Sequence, residues 1–354
     1  MQSKIISGHS VIHGKLIRQA FYSAVAFSLA AIIGMLNPAH AGACASCGCT
    51  LSPDWENLQF ASTSGIKLDF RWDYLDQDQL RSGTGTISPV AASRIINNNG
   101  QPQEVEKFTR NNYYTLGIDY GISPCWGVNI QVPWIDRGHS TLGTNSDGLT
   151  PGPGGGQYDS HTSSLGDIRV IGRYQGFNPR GNIGVLFGVK LPTGSHTETG
   201  TSTDPSAPGP VPIDRGLQPG TGTTDVILGV YYIDALSPKL DYFAQALVQA
   251  PLNSQNEYRP GKGLNFNLGL RYLGVSGFFP QVQLNFRAVK RDSGANADTI
   301  STGGTLLYLS PGVDVPVTIH FSVYGFVQVP IYQNVNGVQL APRYTTSLGV
   351  RYAF

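Results

Sequence analysis

The sequence predicts an all-β fold: a single transmembrane antiparallel β-barrel of about twelve strands, with ten and fourteen as the bounds of the count. Three observations carry that reading. Charged residues make up only 13% of the chain, against 44 Gly and 17 Tyr, whereas a typical soluble domain holds about 25% charged residues. Beyond residue 41, apolar and polar side chains alternate in recurring stretches of about ten residues, the length a tilted strand needs to cross a bilayer. Aromatic residues gather at the ends of those stretches, where amphipathic rings favour a membrane boundary.

Residues 1–41 read as an export signal peptide. Lys4, Lys15 and Arg18 form a basic start, Ala20 to Leu36 is apolar, and Ala39-His40-Ala41 fits the small-x-small cleavage rule. A retained membrane helix is the alternative, since the run is near the lower spanning limit. Residues 1–41 hold three basic and no acidic side chains, so their removal turns the formal charge from +1 to −2. No basic stripe then remains to neutralise phosphates, which argues against nucleic acid as a partner. Residues 42–63 follow as a cysteine-containing segment expected in the periplasm, and 64–354 as the barrel.

The first strand, 64–75, shows the logic. Ile66, Leu68, Phe70, Trp72 and Tyr74 alternate with Lys67, Asp69, Arg71 and Asp73. Period two places the apolar set on one face and the four charges on the other. In a barrel within lipid the apolar face points outward and the charges inward. The same pattern marks 112–121, 126–135, 165–176, 182–191, 263–273, 279–289, 317–331 and 343–354, and more weakly 223–234, 240–251 and 302–310. Tight turns are expected at Ser123-Pro124, Asn178 to Gly181, Ser237 to Lys239, Ser276-Gly277 and Pro311-Gly312. Longer loops are expected at 76–111, 136–163, 192–222, 252–262, 290–301 and 332–342. Short periplasmic turns, long outer loops and an even count leave both termini periplasmic. Trp72, Tyr74, Trp134, Tyr332 and Tyr344 would form the outer aromatic girdle. Tyr120, Trp126, Tyr174, Tyr232, Tyr242, Tyr272, Phe279, Tyr308 and Tyr352 would form the periplasmic one.

The final run Gly349-Val350-Arg351-Tyr352-Ala353-Phe354 resembles the C-terminal signature of bacterial outer-membrane barrels, which implies the barrel assembly machinery as a partner through Phe354. Two internal stretches, Ser164-Leu165-Gly166-Asp167-Ile168 running to Gly172-Arg173-Tyr174 and Lys190-Leu191-Pro192-Thr193-Gly194-Ser195, resemble the transporter family named for the meta-cleavage pathway of phenol degradation. That resemblance would cover most of 64–354 and implies passive uptake of small, often aromatic, compounds. The cysteine-rich start is not part of its pattern.

Taken inward, the pore wall would carry Lys67, Arg71, Arg169, Arg173, Lys190, Arg271, Arg287 and Arg351 against Asp69, Asp73, Asp119, Asp167 and Asp225. Such a basic excess would favour anions; ladders of ion pairs plugging a narrow barrel are the alternative. Cys44, Cys47 and Cys49 follow the cleavage point, and Cys125 lies in the first periplasmic turn. Disulfides in an oxidising compartment and a soft-metal site for Cu(I) or Zn(II) both fit them; otherwise no cofactor is expected. His139 and Ser140 are adjacent, and adjacency alone does not make a nucleophile–base pair. The expected function is therefore an outer-membrane channel, not an enzyme, for passive passage of small hydrophilic, anionic or aromatic solutes, with membrane lipid around it. The first alternative is a barrel scaffold binding a periplasmic redox or metal partner through its cysteines, and the second a lipid hydrolase.

Overall fold

The computed structural model describes residues 65–95, 105–144, 151–152, 157–203 and 208–354. The expected signal peptide, the 42–63 segment and Cys44, Cys47 and Cys49 lie outside those residues. Among the described residues, no helix is long and apolar enough to cross a membrane.

Strands dominate. They are β1 (Gly65–Gly83), β2 (Gly85–Thr86), β3 (Val105–Gly121), β4 (Trp126–Thr144), β5 (Pro151–Gly152), β6 (Tyr158–Leu165), β7 (Arg169–Tyr174) and β8 (Ile183–Lys190). They continue with β9 (Thr199–Ser202), β10 (Gly209–Pro212), β11 (Asp225–Ser237), β12 (Leu240–Pro251), β13 (Gly263–Tyr272), β14 (Phe279–Val289), β15 (Gly304–Pro316) and β16 (Phe321–Ala353). Eleven of these elements pair antiparallel in the closed order β4-β3-β1-β16-β15-β14-β13-β12-β11-β8-β7 and back to β4. The 33-residue β16 is too long for one stave. It reverses near Gly337 (φ 52°), so residues 322–335 pair with β15 and 335–353 with β1. The ring therefore makes twelve crossings, in agreement with the expected count.

Burial is inside-out. Leu228 is 55% and Phe70 47% exposed, while Asn285 is 0% and Gln245 1% exposed. A water-soluble fold would do the reverse; a barrel whose outer face meets hydrocarbon requires this order. The inner wall is fastened by side chains instead of an apolar core. Asn267 donates to Gln245, Asn285 donates to Asn267 and Gln283, and Ser310 and Gln328 donate to Asn285, so that amide and hydroxyl bonds span β12 to β16. Four buried aromatic rings lie over a glycine of the neighbouring strand: Tyr231 on Gly184, Phe243 on Gly269, Phe326 on Gly312 and Tyr324 on Gly349. A Cβ at any of these glycines would overlap the ring, so glycine here provides space for an aromatic cover.

Several sequence expectations change. Strand enters the loops expected at 76–111 and 136–163 from both sides and takes up all of 332–342, because β1, β3, β4, β6 and β16 continue past the apolar stretch. Beyond the lipid both faces of a strand meet polar surroundings, so pairing persists after alternation fades. The strand expected at 165–176 is shorter, β7 at Arg169–Tyr174, and is preceded by the unexpected β6: β6 pairs with the far half of β4 and β7 with the near half, with Gly166 to Ile168 between them. Pro311-Gly312 lies inside β15, and the turn falls at 317–320, closed by Val317 donating to the Phe321 carbonyl. That glycine accommodates the Phe326 ring. Tyr308 is not in a girdle. It is 4% exposed on the lumen face opposite Asn285. Phe279 also faces inward, two residues before Gln281, with Arg271 over its ring.

Candidate functional site

The start of β1, the last residues of the chain and the tight turns share one end of the barrel: Phe354 donates to the Ile66 carbonyl and Ala353 to the His320 carbonyl. The long connections gather at the other. We refer to these as the turn end and the loop end.

Strand alternation sends every predicted pore-lining residue to the inner face, where two kinds of surroundings separate them. Toward the turn end the lumen is filled. Arg173 reaches Asp119 at 3.1 Å, and Lys67 stands opposite Asp119 in register. Arg351 bridges Asp69 and Asp314 at 3.5 Å each, with the Tyr324 hydroxyl donating to Asp69. Arg271 pairs with Asp241 at 3.1 Å. All of these side chains are buried, so this half of the barrel holds the ion-pair ladder that was the alternative to an open pore. Below it lies a cavity of about 350 Å³ lined by Gln175, Arg180, Asp234 and Asp241 and bordered by Cys125, which is exposed in the turn between β3 and β4.

Toward the loop end the lumen opens into a chamber of about 310 Å³. Arg71, Arg137, Arg169, Lys190 and Arg287 line it, with Asp73, Asp167, Asp225 and Asp292. Aliphatic groups complete the wall: Pro133, Ile135, Ile171, Ile227, Leu247 and Val289. Most of the charges are matched. Arg71 pairs with Asp73 at 2.8 Å, and the Ser347 hydroxyl donates to that same carboxylate. Lys190 sits between Asp167 at 2.9 Å and Asp225 at 3.3 Å. Arg287 donates to the amide oxygen of Asn265 at 3.3 Å. Among the described residues Arg169 has no hydrogen-bond or ion-pair partner; it is exposed to the chamber with protein around it.

Residues 213–221, held beside Gly194, form the roof of this chamber, to which Gly216, Gln218, Pro219 and Thr221 contribute. The Asp167 carboxylate accepts from the backbone N–H of Gly194 and of Thr221, and from the Thr221 hydroxyl. Arg137, anchored to Asn111 and the Tyr113 hydroxyl, donates to the carbonyls of Leu217 and Gln218. Arg215 reaches the carbonyls of His196 and Thr221 and stacks on Tyr258. Nearby, in the connection after β14, Asp292 accepts from the Tyr258 hydroxyl and the Gly261 N–H. Burial raises its carboxyl to about 6 despite those two bonds, and Asp214 and Asp298 push it the same way. Arg137 and the Asp167 clip were not singled out as a loop anchor from sequence. The only signal was Gly166-Asp167 interrupting an otherwise regular alternation.

His139 and Ser140 lie in β4, not in a loop. Consecutive strand residues point to opposite faces, and His139 Nδ1 is 2.8 Å from the Thr109 hydroxyl, so these two do not form a nucleophile–base pair with each other. Among the described residues no three metal-type ligands gather. The cysteine-based metal and partner readings fall on Cys44, Cys47 and Cys49, outside the described residues.

No protein-family model matches the sequence, and no curated protein does. Among solved structures, an outer membrane channel from Pseudomonas putida F1 is similar to the chain with a TM-score of 0.57 and 12% identity, over 82% of this chain and 96% of that one. Looser overlaps occur with the CymD monoaromatic hydrocarbon channel (TM-score 0.47, 10% identity, 90% and 98% covered) and the Ralstonia pickettii toluene transporter TbuX (0.43, 13%, 82% and 90%). The chain therefore has the fold of an outer-membrane channel barrel.

Proposed function

We propose that this chain is a non-enzymatic channel of the bacterial outer membrane for passive passage of small hydrophilic, anionic or aromatic solutes. Its turn end and both termini face the periplasm. The observation that carries the reading is the loop-end chamber: a cavity walled by charges and short aliphatic side chains, inside a closed barrel whose outside is apolar. The roof formed by residues 213–221 narrows the outer mouth, and the ion-pair layer below makes the path tight, so conduction is small and selective instead of porin-like. Solute passage requires side chains of that layer to move aside, which suits a barrel intermediate between side-chain-filled and water-filled sizes.

The test is single-channel recording of the purified chain in a planar bilayer under a salt gradient. Discrete small steps with an anion-shifted reversal potential are expected. A barrel that folds and inserts yet stays silent, with no uptake into liposomes, would overturn the channel reading.

A further inference from the structure

We propose that Arg169 and Arg287 form a binding site, inside the loop-end chamber, for a monocarboxylate with a compact apolar body. The proposal rests on the channel reading and names the solute class that its chamber takes.

Arg169 is the first observation. Its register neighbours are Lys190 on β8 and Gln131 on β4. Lys190 is held by two carboxylates and a threonine hydroxyl, while Arg169 beside it has no hydrogen-bonding partner. The charged groups within its electrostatic reach are Arg287 foremost, then Asp225, Asp167 and Arg71. Both of those carboxylates are already engaged: Asp167 by Lys190 and two backbone N–H groups, Asp225 by Lys190, the Thr223 hydroxyl and the Gln249 amide. Arg287 has only the neutral amide oxygen of Asn265. Two guanidiniums thus face one another across the chamber, neither with a carboxylate of its own. Like charges brought together away from bulk water repel, and a guanidinium fork is built to take a carboxylate through two parallel hydrogen bonds. Arg169 fastens nothing in the fold, so a structural role does not explain it.

The chamber wall is the second observation, independent of charge. Inward positions on a strand recur every two residues, and both arginines have an aliphatic inward neighbour: Ile171 after Arg169 and Val289 after Arg287. Ile227 and Leu247 continue that surface, and Ile171 and Ile227 belong to one packed cluster. A lumen built only to conduct ions gains nothing from such a wall. A bare inorganic anion would satisfy the guanidiniums and leave the wall wet, whereas a carboxylate on a ring or short branched chain uses both. The volume, about 310 Å³, is at the small end of the ~300–1,000 Å³ range of small-molecule sites.

The test uses the purified full chain in detergent and titrates benzoate, uncharged benzamide and sodium sulfate by calorimetry. Benzoate is expected to bind, Arg169→Gln and Arg287→Gln each to weaken it ten-fold or more, and benzamide and sulfate to bind at least ten-fold more weakly. Equal affinity for benzoate and benzamide, sulfate as tight as benzoate, or affinity unchanged in both variants would overturn the site. Should Arg169→Gln fold poorly, Arg169→Lys decides the same question. It keeps the charge and loses the fork, so benzoate should weaken, and unchanged affinity refutes the proposal. Bilayer recordings on the same preparation separate the two readings: current steps without benzoate binding refute the site and leave the channel, and benzoate binding with a silent bilayer does the reverse.

Discussion

Asp167 ties Gly194 and Thr221 together at the roof of the chamber, and removing its carboxylate should release that roof. One oxygen accepts from Gly194 N–H at 3.1 Å, the other from Thr221 N–H at 3.0 Å and the Thr221 hydroxyl at 2.9 Å. Hydrogen bonds to a charged group contribute about 1.5–3 kcal/mol each. They are not additive, and Arg137 still holds the middle at Leu217. A total of about 3 kcal/mol is therefore a reasonable lower figure for Asp167→Ala. When opening is fast relative to cleavage, proteolysis follows the open population, so 3 kcal/mol corresponds to about 150-fold faster cutting. Trypsin cleavage after Arg215, whose guanidinium is tucked against Tyr258, gives the readout, with fragments quantified by mass spectrometry. Asp225→Ala is the control. It takes the other carboxylate from Lys190 but touches neither Gly194 nor Thr221, so the rate at Arg215 should change little. Cleavage of Asp167→Ala within two-fold of the native chain would refute the clip, as would equal acceleration by Asp225→Ala.

Phe243, wholly buried over Gly269, should cost about 3–5 kcal/mol on truncation to Ala; a urea midpoint unchanged at constant slope in detergent would contradict its role as a ring cover. Arg173→Ala leaves Asp119 buried without the pair at 3.1 Å, a loss of about 3–5 kcal/mol, and opens the turn-end layer. Single-channel current should rise, and a current equal to that of the native chain would place the constriction elsewhere. Asp292 has its folded carboxyl raised to about 6 from 3.8. Its stabilising share is therefore complete below about pH 4 and is lost as pH rises through about 6. Between pH 4.5 and 7 the native melting midpoint should fall relative to that of Asp292→Asn, and parallel curves would remove Asp292 as the cause.

The parts of this molecule readable from sequence are those where lipid imposes a rule. From Ile66 to Tyr74 hydrocarbon outside and charge inside force strict alternation, and the strand and its inward residues follow directly. Past Tyr74 that force is absent: the outward face becomes Asp76 and Asp78, and the strand runs on to Gly83 with nothing in its composition to mark it. Glycine misled at Pro311-Gly312, because a turn and a ring-covered strand position call for the same residue. Tyr308 misled because an aromatic near a strand end has the same spacing whether it faces lipid or lumen. In the site, each inward charge could be assigned from its parity alone. What parity cannot give is partnership. That Lys190 is matched and Arg169 is not depends on where Gly194 and residues 213–223 fold, and that is decided by Asp167, Arg137 and two backbone N–H groups far apart in sequence.

The length of the first strands has a consequence for how solutes arrive. At about 3.3 Å per residue and a tilt near 40°, the 19 residues of β1 or β4 rise roughly 48 Å, against an apolar band of about 25 Å. At the loop end, where β1, β3, β4 and β16 run on, this part of the wall therefore stands some 20 Å clear of the hydrocarbon, laced on its outside by ion pairs such as Arg343–Asp78 and Arg110–Asp76. In physiological salt the field of an anionic surface decays over about 8 Å. The rim is thus beyond most of the ionic atmosphere of the membrane. With the loop end outward, as proposed above, a negatively charged solute reaches it without first having to approach the like-charged surface below.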